Sequence, residues 1–194
     1  MISKITENLF IGEFLDVVGQ TPEEQKSRIE QLKQLGITHV LSLCSEGVED
    51  SQIEREELAL RNTYLWLRRE AVPTSVKGTK FCGRSDPMKF GLELALYEIN
   101  SILFGQPSAK ILVHCTAGID RAPFVVASYL VRHHFHMRYN GEWKMENHYS
   151  FTVNDLAEAY VEIKKVRPFV CEHHEWRWWP IDGVPTCAEN QKVI

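Results

Sequence analysis

Short apolar runs of strand length alternate along this chain with longer stretches of helical periodicity, and that alternation narrows the folds open to it. Residues 37–44 (ITHVLSLC) and 110–114 (KILVH) are largely apolar, as strands buried on both faces are. Around them, apolar side chains recur every three or four positions. Ile29, Leu32 and Leu35 form one stripe, and Leu92, Leu96, Ile99 and Leu103 form another within 87–104. Helices are also predicted at 50–60, 122–135 and 153–166, and strands at 5–14 and 63–67. Strands that alternate with helices predict an α/β fold, with a central, mainly parallel sheet flanked by helices.

Local signals sharpen the boundaries. Thr21 is placed as an N-cap, Pro22 at the first helical position and Glu24 at the capping-box position, and Gly36 is placed to end that helix. Residues 70–86, with Pro73, Gly78 and Gly83, read as a loop, and the aromatic, His-rich 133–151 reads as an insertion. There is no repeat or linker, so one domain is expected over 1–194, with a core at about 3–168 and a tail at 169–194.

Composition excludes several classes. Of 194 residues, 44% are hydrophobic, enough for one substantial core and too apolar for a disordered chain. The net charge is −4 without a basic stripe, which argues against nucleic acid as a partner. No apolar run approaches the roughly 20 residues that span a bilayer. The first residues hold no apolar signal core, and five cysteines lack a C-x-x-C pair. A cytoplasmic, reducing location is the expectation; oligomeric state is left open.

The chemistry concentrates in 113–123 (VHCTAGIDRAP), where a strand ends at His114 and a helix begins near Ala122. Backbone N–H groups of residues Thr116, Ala117, Gly118, Ile119, Asp120 and Arg121 can converge there on an anion, reinforced by the helix dipole. Cys115 lies beneath this cradle, where the field favours its thiolate. Gly118 supplies a positive φ, and Arg121 a planar fork suited to two oxygens of a phosphoryl group. The residues point to attack by Cys115 on a phosphomonoester, followed by hydrolysis of the thiophosphate. His114 is expected to support the loop and tune Cys115. The same Cys-x5-Arg spacing occurs at Cys171–Arg177, but without glycine or a preceding strand and with two carboxylates, so it reads as a decoy.

The His-Cys-x5-Arg loop resembles that of the cysteine-based protein tyrosine phosphatases, especially the dual-specificity branch. The resemblance extends to 5–12 (ITENLFIG) and 35–41 (LGITHVL) and covers about residues 3–135, with a weaker echo in the last helix and Arg167-Pro168. It implies a phosphorylated substrate and no metal or other cofactor. Within the branch, Cys115-Thr116-Ala117-Gly118 and Arg121-Ala122-Pro123 look most like the glucan phosphatases, which makes a phosphoglucan the first substrate expectation. Protein phosphate esters come second. The Asp120-Arg121 ending, which resembles phosphoinositide phosphatases, puts a phosphoinositide third. A phosphate-binding module of weak activity is the non-enzymatic alternative.

The general acid stays open between two carboxylates. Asp86 lies in the 70–86 loop ahead of the helix that leads to the nucleophile strand, as the family's acid does. Asp86-Pro87 also suits a helix N-cap. Asp120 lies inside the phosphate loop, where its charge also disfavours a thiolate. Phe81, Trp176, Trp178 and Trp179 are candidate substrate-binding residues, with Trp143 and Tyr149 on weaker grounds; the tryptophans equally suit burial against the domain. Cys82 is a candidate partner for an oxidised Cys115. His133, His134, His136 and His148, like Cys171, His173 and His174, lack paired zinc spacing, and no metal site is assigned.

Overall fold

The computed structural model describes residues 1–44, 49–63, 65–69, 87–138 and 153–172. Five strands, β1 (Ser3–Lys4), β2 (Leu9–Glu13), β3 (His39–Ser42), β4 (Trp66–Arg69) and β5 (Ile111–Cys115), form one sheet in the order β1-β2-β5-β3-β4. Only β1 runs antiparallel to its neighbour; the pairings β2–β5, β3–β5 and β3–β4 are parallel. Among the described residues six helices accompany them: α1 (Phe14–Val18), α2 (Pro22–Gln34), α3 (Asp50–Leu60), α4 (Pro87–Gly105), α5 (Arg121–Arg138) and α6 (Val153–Val166). This is the predicted mainly parallel sheet flanked by helices. No described helix is long and apolar enough to cross a membrane.

The two-residue period of the strands divides the core into two layers. Leu9 and Ile11, Leu41 and Leu43, and Ile111, Val113 and Cys115 pack with Leu96 and Ile99 of α4, Phe124 of α5 and Tyr160 and Ile163 of α6. The intervening Phe10, Val40 and Leu112 pack on the other face with Phe14 and Val17 of α1, Leu32 of α2 and Leu60 of α3. Register aligns these sets: Ile11 and Leu41 both oppose Val113 on the central strand β5.

Several boundaries differ from the sequence expectation for local reasons. The Thr21 hydroxyl accepts from the Glu24 N–H at 3.2 Å, as expected, but the Glu24 carboxylate reaches the Gln20 N–H at 2.7 Å, one residue before the cap. Gly36, at φ +73°, follows the C-cap Leu35 of α2. The strand expected at 63–67 begins later, because 61–63 form a turn: Asn62 adopts φ +63°, and the Thr63 N–H and hydroxyl both donate to the Leu60 carbonyl. Short α1 follows β2 directly, its start fixed by Asp16 accepting the Glu13 N–H at 3.1 Å. Helix α5 runs on to Arg138, so the first residues of the 133–151 stretch are helical; 139–152 lie outside the described residues.

Thr21→Ala removes the side-chain acceptor of the first turn of α2 and is expected to lower stability by about 1 kcal/mol. Urea unfolding should show a lower midpoint at unchanged m-value.

Candidate active site

β5 delivers consecutive residues to opposite sides of the sheet. Cys115, at its end, is a free thiol only 2% exposed among the α4, α5 and α6 contacts. His114 is fully buried, and its Nε2 hydrogen-bonds a carboxylate oxygen of Glu56 on α3, itself fully buried. Strand pairing fixes the main chain here as well, since the His114 carbonyl accepts the Leu43 N–H at 2.9 Å.

The loop after Cys115 is held by its carbonyl groups. The Thr116 carbonyl accepts from the Phe14 N–H at 3.2 Å, Gly118 from Arg167 Nε at 2.7 Å, Ile119 from the Cys171 N–H at 2.9 Å and Asp120 from the Phe124 N–H at 3.1 Å. In a trans peptide, the carbonyl of one residue and the N–H of the next point in opposite directions. Anchoring the carbonyls of residues 116, 118 and 119 therefore turns the N–H groups of 117, 119 and 120 away from those anchors. Among the described residues, the N–H groups of 116–119 donate no hydrogen bond. A run of N–H groups left without partners ahead of a helix N-terminus has the make-up of an anion nest. Gly118, at φ +66°, makes the close turn: a Cβ there would run into the Gly12 carbonyl oxygen and the Arg167 guanidinium.

Arg121 opens α5 and is 3% exposed. Its Nη1 donates to the Leu43 carbonyl at 2.7 Å and to Glu49 Oε2 at 2.9 Å. Its Nη2 donates to Glu49 Oε1 at 2.7 Å and to the Thr116 hydroxyl at 3.0 Å. Burial works against this charge, but the Glu49 hydrogen bonds and the nearby Cys115 outweigh it and hold the guanidinium above its ordinary range. The fork that sequence reasoning assigned to phosphate thus has an internal partner at its outer end. Nε is buried and has no hydrogen-bond partner among the described residues.

Two polar groups of the β3–α3 segment complete the surroundings. Gln52 Oε1 accepts from the Thr116 hydroxyl at 3.2 Å and from the Cys44 thiol at 3.9 Å. Cys44 is 1% exposed, and burial pushes its thiol up to about 11, with Glu49 and Glu56 adding to the effect. Sequence reasoning singled out none of Cys44, Glu49, Gln52 and Glu56. The signal that could have found them is topological, because parallel α/β sheets place their sites at the carboxyl ends of central strands, where β3 and β5 lie side by side.

The structure brings together Cys115, His114, the 116–120 loop and Arg121 as expected. Asp120 is partly buried and caps α5 through its carbonyl. Cys171, the decoy cysteine, is exposed and follows α6 rather than a strand; its contribution is the N–H bond to Ile119. Asp86, Phe81, Cys82, Trp143, Tyr149, Trp176, Trp178, Trp179, His148, His173 and His174 lie outside the described residues, as do the side chains of His133, His134 and His136.

Comparison with known proteins bears on the fold, which matches solved structures of dual-specificity-type phosphatases such as DUSP15 and DUSP28. No family profile matches the sequence. Mouse dual specificity protein phosphatase 26 is 26% identical over 132 residues, which are 68% of this chain and 56% of that protein. The chain thus spans little more than half the length of this relative. The human tyrosine phosphatase-like serine/threonine/tyrosine-interacting protein superposes with a TM-score of 0.58 at 17% identity, covering 91% of this chain and 90% of that one. PTPMT1 in complex with PI(5)P superposes with a TM-score of 0.54 at 13% identity, covering 91% and 89%.

With its pKa near 11, Cys44 carries a thiolate fraction of roughly a thousandth at pH 8. Iodoacetamide at that pH should leave Cys44 unmodified in the folded protein and label it after denaturation, as read by peptide mass spectrometry. Rapid labelling of Cys44 in the native state would contradict the buried placement.

Proposed function

We propose that the chain is a cysteine-dependent phosphomonoester hydrolase of the dual-specificity phosphatase type. The observation that carries this reading is the anchoring of the carbonyls of 116 and 118–120, which leaves the N–H groups of 116–119, in the stretch between Cys115 and Arg121, without a partner among the described residues. These groups suit a tetrahedral dianion and, better still, the trigonal transition state into which it passes, because their dipoles are fixed before the substrate arrives.

In the first step the Cys115 thiolate attacks phosphorus. An S–P bond forms, the ester P–O bond breaks, and a general acid protonates the departing oxygen. In the second step a water attacks the thiophosphate, releasing inorganic phosphate and the thiolate, with the ionised acid taking the proton of water. Asp86 is the first choice for the acid and Asp120 the rival. Replacing each with Asn separates them. The true acid should lose 10²–10⁴-fold, by general acid–base magnitudes, on an alkyl phosphate and far less on p-nitrophenyl phosphate, whose leaving group needs little protonation. Uniform losses on both substrates would assign neither residue this role.

The substrate class proposed first is a phosphorylated protein side chain, which the likeness to dual specificity protein phosphatase 26 supports. A phosphoinositide is the second reading, supported by the Asp120-Arg121 ending and by the neighbour solved with PI(5)P. The phosphoglucan expectation rests on the loop residues Thr116-Ala117-Gly118 and Ala122-Pro123 alone. Phosphate release from phosphopeptides, phosphoinositides and solubilised amylopectin under matched conditions ranks the three. Activity on p-nitrophenyl phosphate should be blocked by vanadate and lost in Cys115→Ser. Undiminished turnover in that variant would remove Cys115 as nucleophile, whereas tight vanadate binding without turnover in the wild type would leave a phosphate-binding module.

A further inference from the structure

The end of α6 brings a second arginine to the loop after Cys115, and the reaction above does not use it. Arg167 directly follows the helix, its N–H bonded to the Ile163 carbonyl at 2.9 Å. From there its half-buried side chain reaches the loop, where Nε donates to the Gly118 carbonyl at 2.7 Å. Nη1 is tied to the first residues of the chain, donating to the Met1 carbonyl at 2.6 Å and to the Ser3 hydroxyl at 3.3 Å. The approach is close: a Cβ at position 118 would fall 2.5 Å from Nη2.

Its choice of partners sets this cation apart. Arg121 is paired with Glu49, Lys164 with Glu172 and Lys165 with Glu162. Arg167 donates instead to two carbonyl oxygens and a hydroxyl, and among the described residues no carboxylate forms an ion pair with it. Neutral acceptors hold the group in place without cancelling its charge. The bond to Gly118 also carries that charge into the loop. A cation on a carbonyl oxygen draws electron density along the peptide and strengthens the N–H at its other end as a donor. That N–H belongs to Ile119, one of the loop groups that donate no hydrogen bond among the described residues.

We infer that Arg167 is a positioning residue of the phosphate loop and a source of its positive charge: it fixes the 118–119 peptide and, through it, makes the Ile119 N–H a charge-reinforced donor to the phosphoryl group. This rests on the reading of residues 115–121 as a phosphate site and adds a cation from outside the loop. An arginine that only braces the fold would make the same hydrogen bonds, but its charge would be immaterial to anion binding. The two roles therefore separate on charge and on salt.

The experiment measures vanadate affinity by calorimetry and p-nitrophenyl phosphate kinetics for the wild type, Arg167→Lys, Arg167→Gln and Lys165→Gln. Arg167→Gln keeps a donor and loses the charge; vanadate affinity and kcat/KM should both fall by roughly tenfold. Arg167→Lys keeps the charge and should stay within about threefold of the wild type. Lys165→Gln removes a neighbouring charge already matched by Glu162 and should change neither quantity. Between about 20 and 200 mM NaCl, the wild type and Arg167→Lys should lose more vanadate affinity than Arg167→Gln, because screening acts on a charge that the last variant lacks. Thermal melts establish which variants are folded. If Arg167→Gln unfolds, Arg167→Lys carries the test, and a loss of tenfold or more in that variant, folded, overturns the inference. So do wild-type affinity in Arg167→Gln, equal losses in the Lys and Gln variants, or an equal loss in Lys165→Gln. A wild type that neither turns over nor binds vanadate removes the phosphate-site reading itself, and this inference with it. An active wild type with an indifferent Arg167→Gln removes the inference alone.

Discussion

The carbonyl oxygens of the loop after β5 are the constraint on which the rest of this site depends. A five-residue stretch between a strand and a helix can point its N–H groups anywhere unless something holds the opposite ends of its peptides. Here the holding groups come from distant parts of the chain: Phe14 from α1, Arg167 from the end of α6, Cys171 beyond it, and Phe124 from α5. Each bond makes good a carbonyl that would otherwise lack a partner, and each thereby sets the direction of the following N–H. Arg167 extends the brace further, donating from Nη1 to the Met1 carbonyl at 2.6 Å and to the Ser3 hydroxyl at 3.3 Å. The nest is therefore a product of the tertiary fold, and its rigidity is that of the two packed layers behind it.

The strand period then divides labour between those layers. Cys115 faces the α4–α5–α6 side, while His114, one residue earlier, reaches α3 on the other. A single strand end thus links Cys115 to both halves of the core. The dry surroundings of His114 and Glu56 make their hydrogen bond costly to break, because either group left alone would be buried without its partner. The same reasoning applies to Arg121 and Glu49, and both carboxylates ride on one helix. A shift of α3 along its axis would disturb the residues on either side of Cys115 together.

Much of this was legible in the sequence, and the limits have a physical cause. The run KILVH, the glycine at 118 and the Cys-x5-Arg spacing are local features, each of which fixes a conformation within a few residues, and they identified β5, the loop and the start of α5. The mainly parallel sense of the sheet followed from the helix–strand alternation, whereas the central place of β5 and the register are set by long-range pairing that no local pattern encodes. Glu49, Gln52 and Glu56 did not stand out because an acidic, amphipathic stretch has the same composition whether its polar face meets solvent or a buried cation. The pairing of Glu49 with Arg121 joins residues 72 apart, and nothing local encodes it. Cys171 shows the converse. Its spacing to Arg177 mimics the motif, yet the residue serves the true loop through a main-chain N–H that no side-chain pattern reveals.

Charge within the site bears on the phosphate-ester reading proposed for it. Among the described residues, Arg121 is matched by Glu49, so this pair adds little net positive charge to the site. The chain as a whole carries −4. The long-range field of such a compensated pair is weak and is screened further by salt. On the proposed reading, the loop N–H dipoles, the helix terminus and the Arg121 guanidinium act at short range, once a phosphoryl group is seated. Such a site gains most where geometry matters most, at the trigonal transition state, and least in the encounter that precedes it. On that reading, the choice among peptide, inositol and glucan turns on contacts with the non-phosphate part of the substrate.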